Sequence, residues 1–177
     1  MRRRSEPVRL SSLGPFTRFG LIAAVLTVAL DQAVKLWLLF VFDLPAHGRV
    51  PLLPFFDLVM VWNTGISYGL FPQEGGIGPW VLFAIKLAAV VLMLIWLFRA
   101  GSRLTALGLG LIIGGAVGNA IDRVAYGAVA DFALFYINTA SFHFNWYVFN
   151  LADVGIVAGV AGVLYDSLVT PDAAKAP

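Results

Sequence analysis

The sequence predicts an all-α membrane protein with four transmembrane helices and a small extended, β-like platform on the outer membrane surface. Three observations predict it. Of the 177 residues, 60% are hydrophobic and 12% charged, where a soluble domain carries about 25% charged residues. Four apolar segments, running from about residue 18 to 42, 78 to 98, 104 to 121 and 149 to 169, each approach the roughly 20 residues that a helix needs to cross a bilayer core. The cations, finally, are distributed unevenly among the connections.

The first segment, Arg18 to Phe42, follows Met1-Arg-Arg-Arg-Ser5. A basic start ahead of an apolar run is also how an export signal begins. Here the run is about twice the length of an export core, contains Asp31 and Lys35, and offers no small-x-small cleavage site, so it reads as a span. Asp31 stands four residues ahead of Lys35, the spacing at which acid and base meet on one helix face. The pair reads as a structural ion pair orienting the helix.

The next connection, residues 43–77, carries Phe56-Asp-Leu-Val-Met-Val-Trp62. Its aromatic and branched residues read as a strand, ended by a turn at Asn63-Thr-Gly65. Between the second span, Gly78 to Phe98, and the third, Leu104 to Ile121, lies the short basic turn Arg99-Ala-Gly-Ser-Arg103. The outer connections, 43–77 and 123–148, hold only Arg49 and Arg123 as cations. The positive-inside rule therefore puts both termini, with Arg2, Arg3, Arg4, Arg9, Arg18 and Lys175, on the cytoplasmic side beside Arg99 and Arg103.

In the third span Gly110, Gly114 and Gly118 recur every fourth residue, with Gly108 and Gly115 nearby. Such a small face lets helices approach closely in lipid; clearance for a substrate is the second reading. The following connection is aromatic, and Phe142-His-Phe-Asn-Trp-Tyr147 alternates apolar with polar, which suggests a short strand at the membrane interface. The fourth span is Phe149 to Val169. With no repeat and no linker, residues 1–177 read as one domain.

Several function classes fall away. The net charge is +2 and the cations are scattered, so no nucleic-acid partner is expected. The absence of cysteine excludes disulfides, thiolate metal sites, a cysteine nucleophile and lipid attachment to the chain itself. His47 and His143 are too few for a histidine zinc site, and neither a metal nor another cofactor is expected.

Ionisable side chains in or beside apolar helices are costly unless paired or functional. Besides Asp31 and Lys35, Asn119 and Asp122 share a helical face, with Arg123 adjacent, and read as a supporting hydrogen-bond network. Asp131 is surrounded by Val129, Ala130, Phe132 and Ala133, with no basic residue within seven positions. An unpaired carboxyl in such surroundings has a raised pKa, which suits proton transfer; the plainer alternative is an exposed loop aspartate. Asn150 and Asp153 have the spacing of a capping box at the start of the fourth span. Asp153 also lies in the positive field of that helix N-terminus, which favours its ionised form. Two carboxyls with opposite tendencies at one depth are what an acid/base pair needs.

Asp31-Gln-x-x-Lys35, Asn63-x-Gly65, Gly114-Gly-Ala-x-Gly-Asn119-x-x-Asp122-Arg123, Val129-x-Asp131-Phe132 and Phe149-Asn150-x-Ala-Asp153 occur in this order from the first span to the fourth. Together they resemble the motifs of the bacterial lipoprotein signal peptidase, or signal peptidase II, family. The resemblance implies that Asp131 and Asp153 are the catalytic dyad of an aspartic endopeptidase. It implies that Asn63, Gly65, Asn119, Asp122, Arg123 and Asn150 bind substrate or support the site. The implied substrates are prolipoproteins whose cysteine carries diacylglycerol, cleaved on the N-terminal side of that cysteine. The implied setting is the bacterial cytoplasmic (inner) membrane, the enzyme acting as a monomer among phospholipids with its site at the periplasmic face. One departure is that Ile66-Ser-Tyr68 follows Gly65 where the family has an Ala-x-Ala/Ser-Phe-like run, which bears on substrate contacts.

The alternative from another class is a small proton-coupled transporter, which would spread its acids through the bilayer. Asp122, Asp131 and Asp153 instead gather at one end. A passive scaffold would need the glycine face but not these acids.

Overall fold

The computed structural model describes residues 14–64 and 78–169. Their elements run α1 (Thr17–Phe40), α2 (Leu44–His47), β1 (Val50–Leu53), β2 (Phe56–Asn63), α3 (Gly78–Leu97), α4 (Arg103–Tyr126), β3 (Val129–Asn138), β4 (His143–Asn145) and α5 (Leu151–Val169). Three helices, α1, α4 and α5, are long and apolar enough to cross a membrane, and α3 contains the shorter apolar helix Ala84–Leu97. Leu26, Trp37, Leu92, Val157 and Leu168 all project outward from this bundle. An apolar belt of that kind has lipid as its natural solvent.

The central helix is α4, packed against α1, α3 and α5. It starts at Ser102, whose Oγ accepts the Thr105 N–H at 3.0 Å and so satisfies one of the free donors of the first turn. It ends at Gly127, which takes the left-handed conformation (φ 75°) and sends its N–H back to the Arg123 carbonyl. The sequence reading ended this span at Ile121. No residue between Ile121 and Tyr126 interrupts a helix, however, and the stop is Gly127. Arg123 is accordingly helical and does not open the outer connection.

The glycine face serves packing, and on two sides. A Cβ added to Gly114 would stand 2.6 Å from the Ala24 carbonyl oxygen on α1, and one on Gly108 would stand 2.7 Å from the Gly159 carbonyl oxygen on α5. Each is closer than an added Cβ tolerates, so α4 touches both neighbours backbone to backbone. Gly118 has a further role. A Cβ there would lie 2.6 Å from the Asp31 carboxylate, so its absence makes room for a buried charge.

The strands form one antiparallel sheet in the order β1-β2-β3-β4. The expected strand at residues 56–62 is β2, and β4 is the centre of the expected 142–147 strand. β3 and β1 were not foreseen. The first five residues of β3 are all buried, so the alternation that betrays a half-buried strand is missing there. Asp131 therefore sits in a strand paired with β2 opposite Val61, not in an exposed loop. Leu38, Leu44, Phe132 and Ala133, with Phe56, Phe149 and Leu151 against them, form a core between the sheet and the ends of α1 and α5. At the opposite end Gly14 donates to the Phe98 carbonyl at 2.7 Å. Arg18, Arg99 and Arg103, which begin or follow α1, α3 and α4, therefore lie away from the sheet.

Candidate active site

Where the sheet meets the bundle, polar residues of α1, α4, β2, β3 and α5 form one network. Its centre is Lys35, 2% exposed. The Nζ donates to Asp31 Oδ2 at 2.8 Å, to Asp122 Oδ2 at 2.7 Å and to Asn119 Oδ1 at 3.1 Å, so all three ammonium hydrogens are used. The expected pair of Asp31 and Lys35 is present, but the cation serving Asp122 is Lys35 and not Arg123. Arg123 Nη1 instead donates to the Asn119 backbone carbonyl at 3.2 Å. The reason is directional: residues one apart on a helix do not face each other, and Asp122 points at α1.

These buried carboxylates hold backbone. Asp31 Oδ1 accepts the Ala152 N–H in the first turn of α5 at 2.9 Å. Asp122 Oδ2 accepts the Ala130 N–H at 3.1 Å, one residue before Asp131, and Asp122 Oδ1 accepts Gln32 Nε2 at 2.9 Å. The Lys35 centre thus fixes the two segments that carry Asp131 and Asp153.

Those two acids are held by amides. Asn150 Nδ2 donates to Asp131 Oδ1 at 2.6 Å and to Asn119 Oδ1 at 3.0 Å. Asn119 Nδ2 donates to Asp153 Oδ1 at 2.9 Å. A continuous path thereby runs Asp131, Asn150, Asn119, Asp153. Asn63, at the end of β2, adds a bond from Nδ2 to Asp131 Oδ2 at 3.0 Å. The capping box is also real: Asp153 Oδ2 accepts the Asn150 N–H at 3.1 Å, and Asn150 Oδ1 accepts the Asp153 N–H at 3.0 Å. The capping and site readings of these residues are compatible, since the cap is what aims Asn150 Nδ2 at Asp131. No buried side-chain nitrogen or oxygen among the described residues lacks a partner.

Burial pushes the Asp131 carboxyl above its ordinary value. The bonds from Asn63 and Asn150 oppose that shift, and the neighbouring Asp153 adds to it. The expected direction holds. Among the described residues no salt bridge reaches it, as expected of an unpaired carboxyl, although two amides hold it. Gly65, Ile66 and Tyr68 lie outside the described residues.

Beside this path a cleft of about 340 Å³ opens between α3, α4 and α5. Asp153, Asn119 and Arg123 line it together with apolar side chains and Lys86 of α3. The sequence reading passed over Lys86. Its signal was a cation isolated in the middle of an apolar segment.

Fold and site together define a membrane-embedded protein with a carboxylate pair where its bundle meets a sheet. A family model described as Signal peptidase (SPase) II matches residues 23–169. The chain is 60% identical over 160 residues to the lipoprotein signal peptidase of Nitrobacter hamburgensis, covering 90% of this chain and 98% of that one. It is 57% identical over the same length to the lipoprotein signal peptidase of Rhodopseudomonas palustris strain TIE-1, with the same coverage. Its fold is similar to that of a bacterial membrane enzyme solved by the in meso method at 1.9 Å, with a TM-score of 0.70 at 23% identity, covering 88% of this chain and 96% of that one. The chain belongs to the signal peptidase II family. The transporter alternative finds no support in these similarities.

Proposed function

We propose that this chain removes signal peptides from prolipoproteins by an aspartic mechanism in which Asp131 and Asp153 divide the acid and base roles. The observation that carries the proposal is the path from Asp131 through Asn150 and Asn119 to Asp153. It holds two carboxyls together through amides, with no cation among the described residues in salt-bridge contact to fix their charge. Asp131, biased by burial toward its protonated form, donates to the carbonyl oxygen under attack. Asp153, facing the cleft, takes the proton of the attacking water. Asn63, Asn119 and Asn150 orient the pair, Arg123 lines the approach with Gly65 as a further substrate contact, and the Lys35 centre with Asp31 and Asp122 supports them.

The finer reading follows from the same residues. The substrates carry diacylglycerol on the cysteine that becomes the new N-terminus, since a site at the sheet end of the bundle meets a chain held at the membrane surface. The protein is one domain and a monomer in contact with phospholipid, with no nucleic-acid partner and no cofactor. It has four spans, α3 being the fourth, in the cytoplasmic membrane of a bacterium. The grouping of Arg18, Arg99 and Arg103 away from the sheet supports cytoplasmic termini and an outer site. The test is cleavage of a prolipoprotein, with and without diacylglycerol, by the purified wild type, Asp131→Asn and Asp153→Asn. Wild type is expected to cleave only the lipidated form, and each variant to fold yet lose about 10²- to 10⁴-fold in rate. Full turnover by either variant would contradict the assignment.

A further inference from the structure

Lys86 has no part in the mechanism above. It lies in the apolar stretch Ala84–Leu97 of α3, and among the described residues it forms no ion pair or hydrogen bond. An intramembrane ammonium without a partner is costly and marks a site that meets an anion. Helical side chains lean toward the N-terminus of their helix, which for α3 is the sheet end, and a lysine stem extends its charge in that direction. The cleft that Lys86 lines is shared with Arg123 and Asp153. Arg123 spends one N–H on the Asn119 carbonyl at 3.2 Å and makes no ion pair among the described residues. Val90, Val117 and Ile156 supply apolar wall. Two cations thus face an apolar cleft at the edge of the carboxylate pair.

We infer that Lys86 and Arg123 form a subsite for the carboxylate that hydrolysis creates on the released signal peptide. The inference rests on the function proposed above. In that reaction the water oxygen bonds to the scissile carbonyl carbon, the carbon–nitrogen bond breaks, and the departing nitrogen takes a proton. The acyl side is left as an anion. Before cleavage the same atoms are a neutral amide, so the cations discriminate product from substrate. The acyl side is also the end that carries the apolar stretch of a signal peptide, which matches the apolar walls. A lipid phosphate would satisfy the cations too, but the cleft includes Asp153, where the new carboxylate forms.

The experiment uses the full-length protein in phosphatidylcholine nanodiscs. Its probe is a synthetic signal peptide ending at the residue before the cleavage point, as the free acid and as the carboxamide. Wild type is expected to bind the acid roughly 10- to 100-fold more tightly, as for hydrogen bonds to a charged group. Lys86→Gln is expected to lose most of that ratio and Lys86→Arg to keep it. Equal binding of acid and amide by a wild-type preparation that cleaves lipidated prolipoprotein would overturn the subsite and leave the function standing; a preparation that cleaves nothing would overturn the function instead. In nanodiscs containing phosphatidylglycerol the acid preference is expected to persist. Its abolition there in wild type would assign the cations to lipid phosphate and overturn the inference.

Discussion

Four carboxylates of the polar network between sheet and bundle fall into two pairs that differ in how their charge is met. Asp31 and Asp122 share the ammonium of Lys35 at 2.8 and 2.7 Å, and their remaining oxygen contacts are to Gln32 and the backbone. Asp131 and Asp153 touch amides and backbone N–H groups, with no cation among the described residues in salt-bridge contact. A close cation fixes a carboxylate in its ionised form and makes it a structural part. An amide holds its position and biases its charge less than a close cation does. The same contrast recurs in the sheet, where Asp57 is buried yet paired with the Arg49 guanidinium and the Tyr136 hydroxyl. It holds β1, β2 and β3 together, and no chemistry is assigned to it.

The largest effect is expected where the first pair is broken. Lys35→Met leaves Asp31 and Asp122 buried and facing each other without a cation, and should cost about 3–5 kcal/mol. Loss of the thermal unfolding transition, or failure to accumulate in the membrane, would register it; a stable Lys35→Met protein would show that the first pair does not need its cation. Gly118→Ala is expected to cost less, about 1–3 kcal/mol, because the added Cβ meets the Asp31 carboxylate at 2.6 Å. Its measured unfolding should track loss of the Lys35 centre, and an unchanged midpoint would mean that α1 shifts freely. Asn63→Ala removes the amide bond to Asp131 of the second pair and should cost the fold less than either change to the first. It removes a bond that favours ionised Asp131, so the Asp131 pKa rises further. In the proposed mechanism activity needs protonated Asp131 and is lost as pH rises through that value, so the alkaline limb of the pH–rate profile should move to higher pH. A shift the other way would reverse the roles of the two acids.

The proposed reacting pair was more legible in the sequence than its support. Asp131 stood out because its neighbours are apolar, and Asp153 because of its spacing from Asn150. Both signals are local. The service of Asp122 by Lys35 is tertiary: nothing in the run from Asn119 to Arg123 reveals that Asp122 faces α1, and the adjacent Arg123 drew the assignment away. Four apolar stretches revealed the helices, yet α4 outran its expected end because Gly127, and not the polar Asp122 and Arg123, is what stops it. β3 was missed for the reason that makes it useful. A strand buried on both faces around Asp131 shows no alternation, and the same burial raises the carboxyl's pKa.

The most direct measurement of the division between the pairs is an infrared pH titration of the carboxyl carbonyl band in wild type, Asp131→Asn and Asp122→Asn. The expected result is a protonated-carboxyl band that persists above the ordinary carboxylate range in wild type, vanishes in Asp131→Asn and remains in folded Asp122→Asn. A band that survives in Asp131→Asn, or is absent from wild type above that range, would contradict the claim that Asp131 is the carboxyl that keeps its proton.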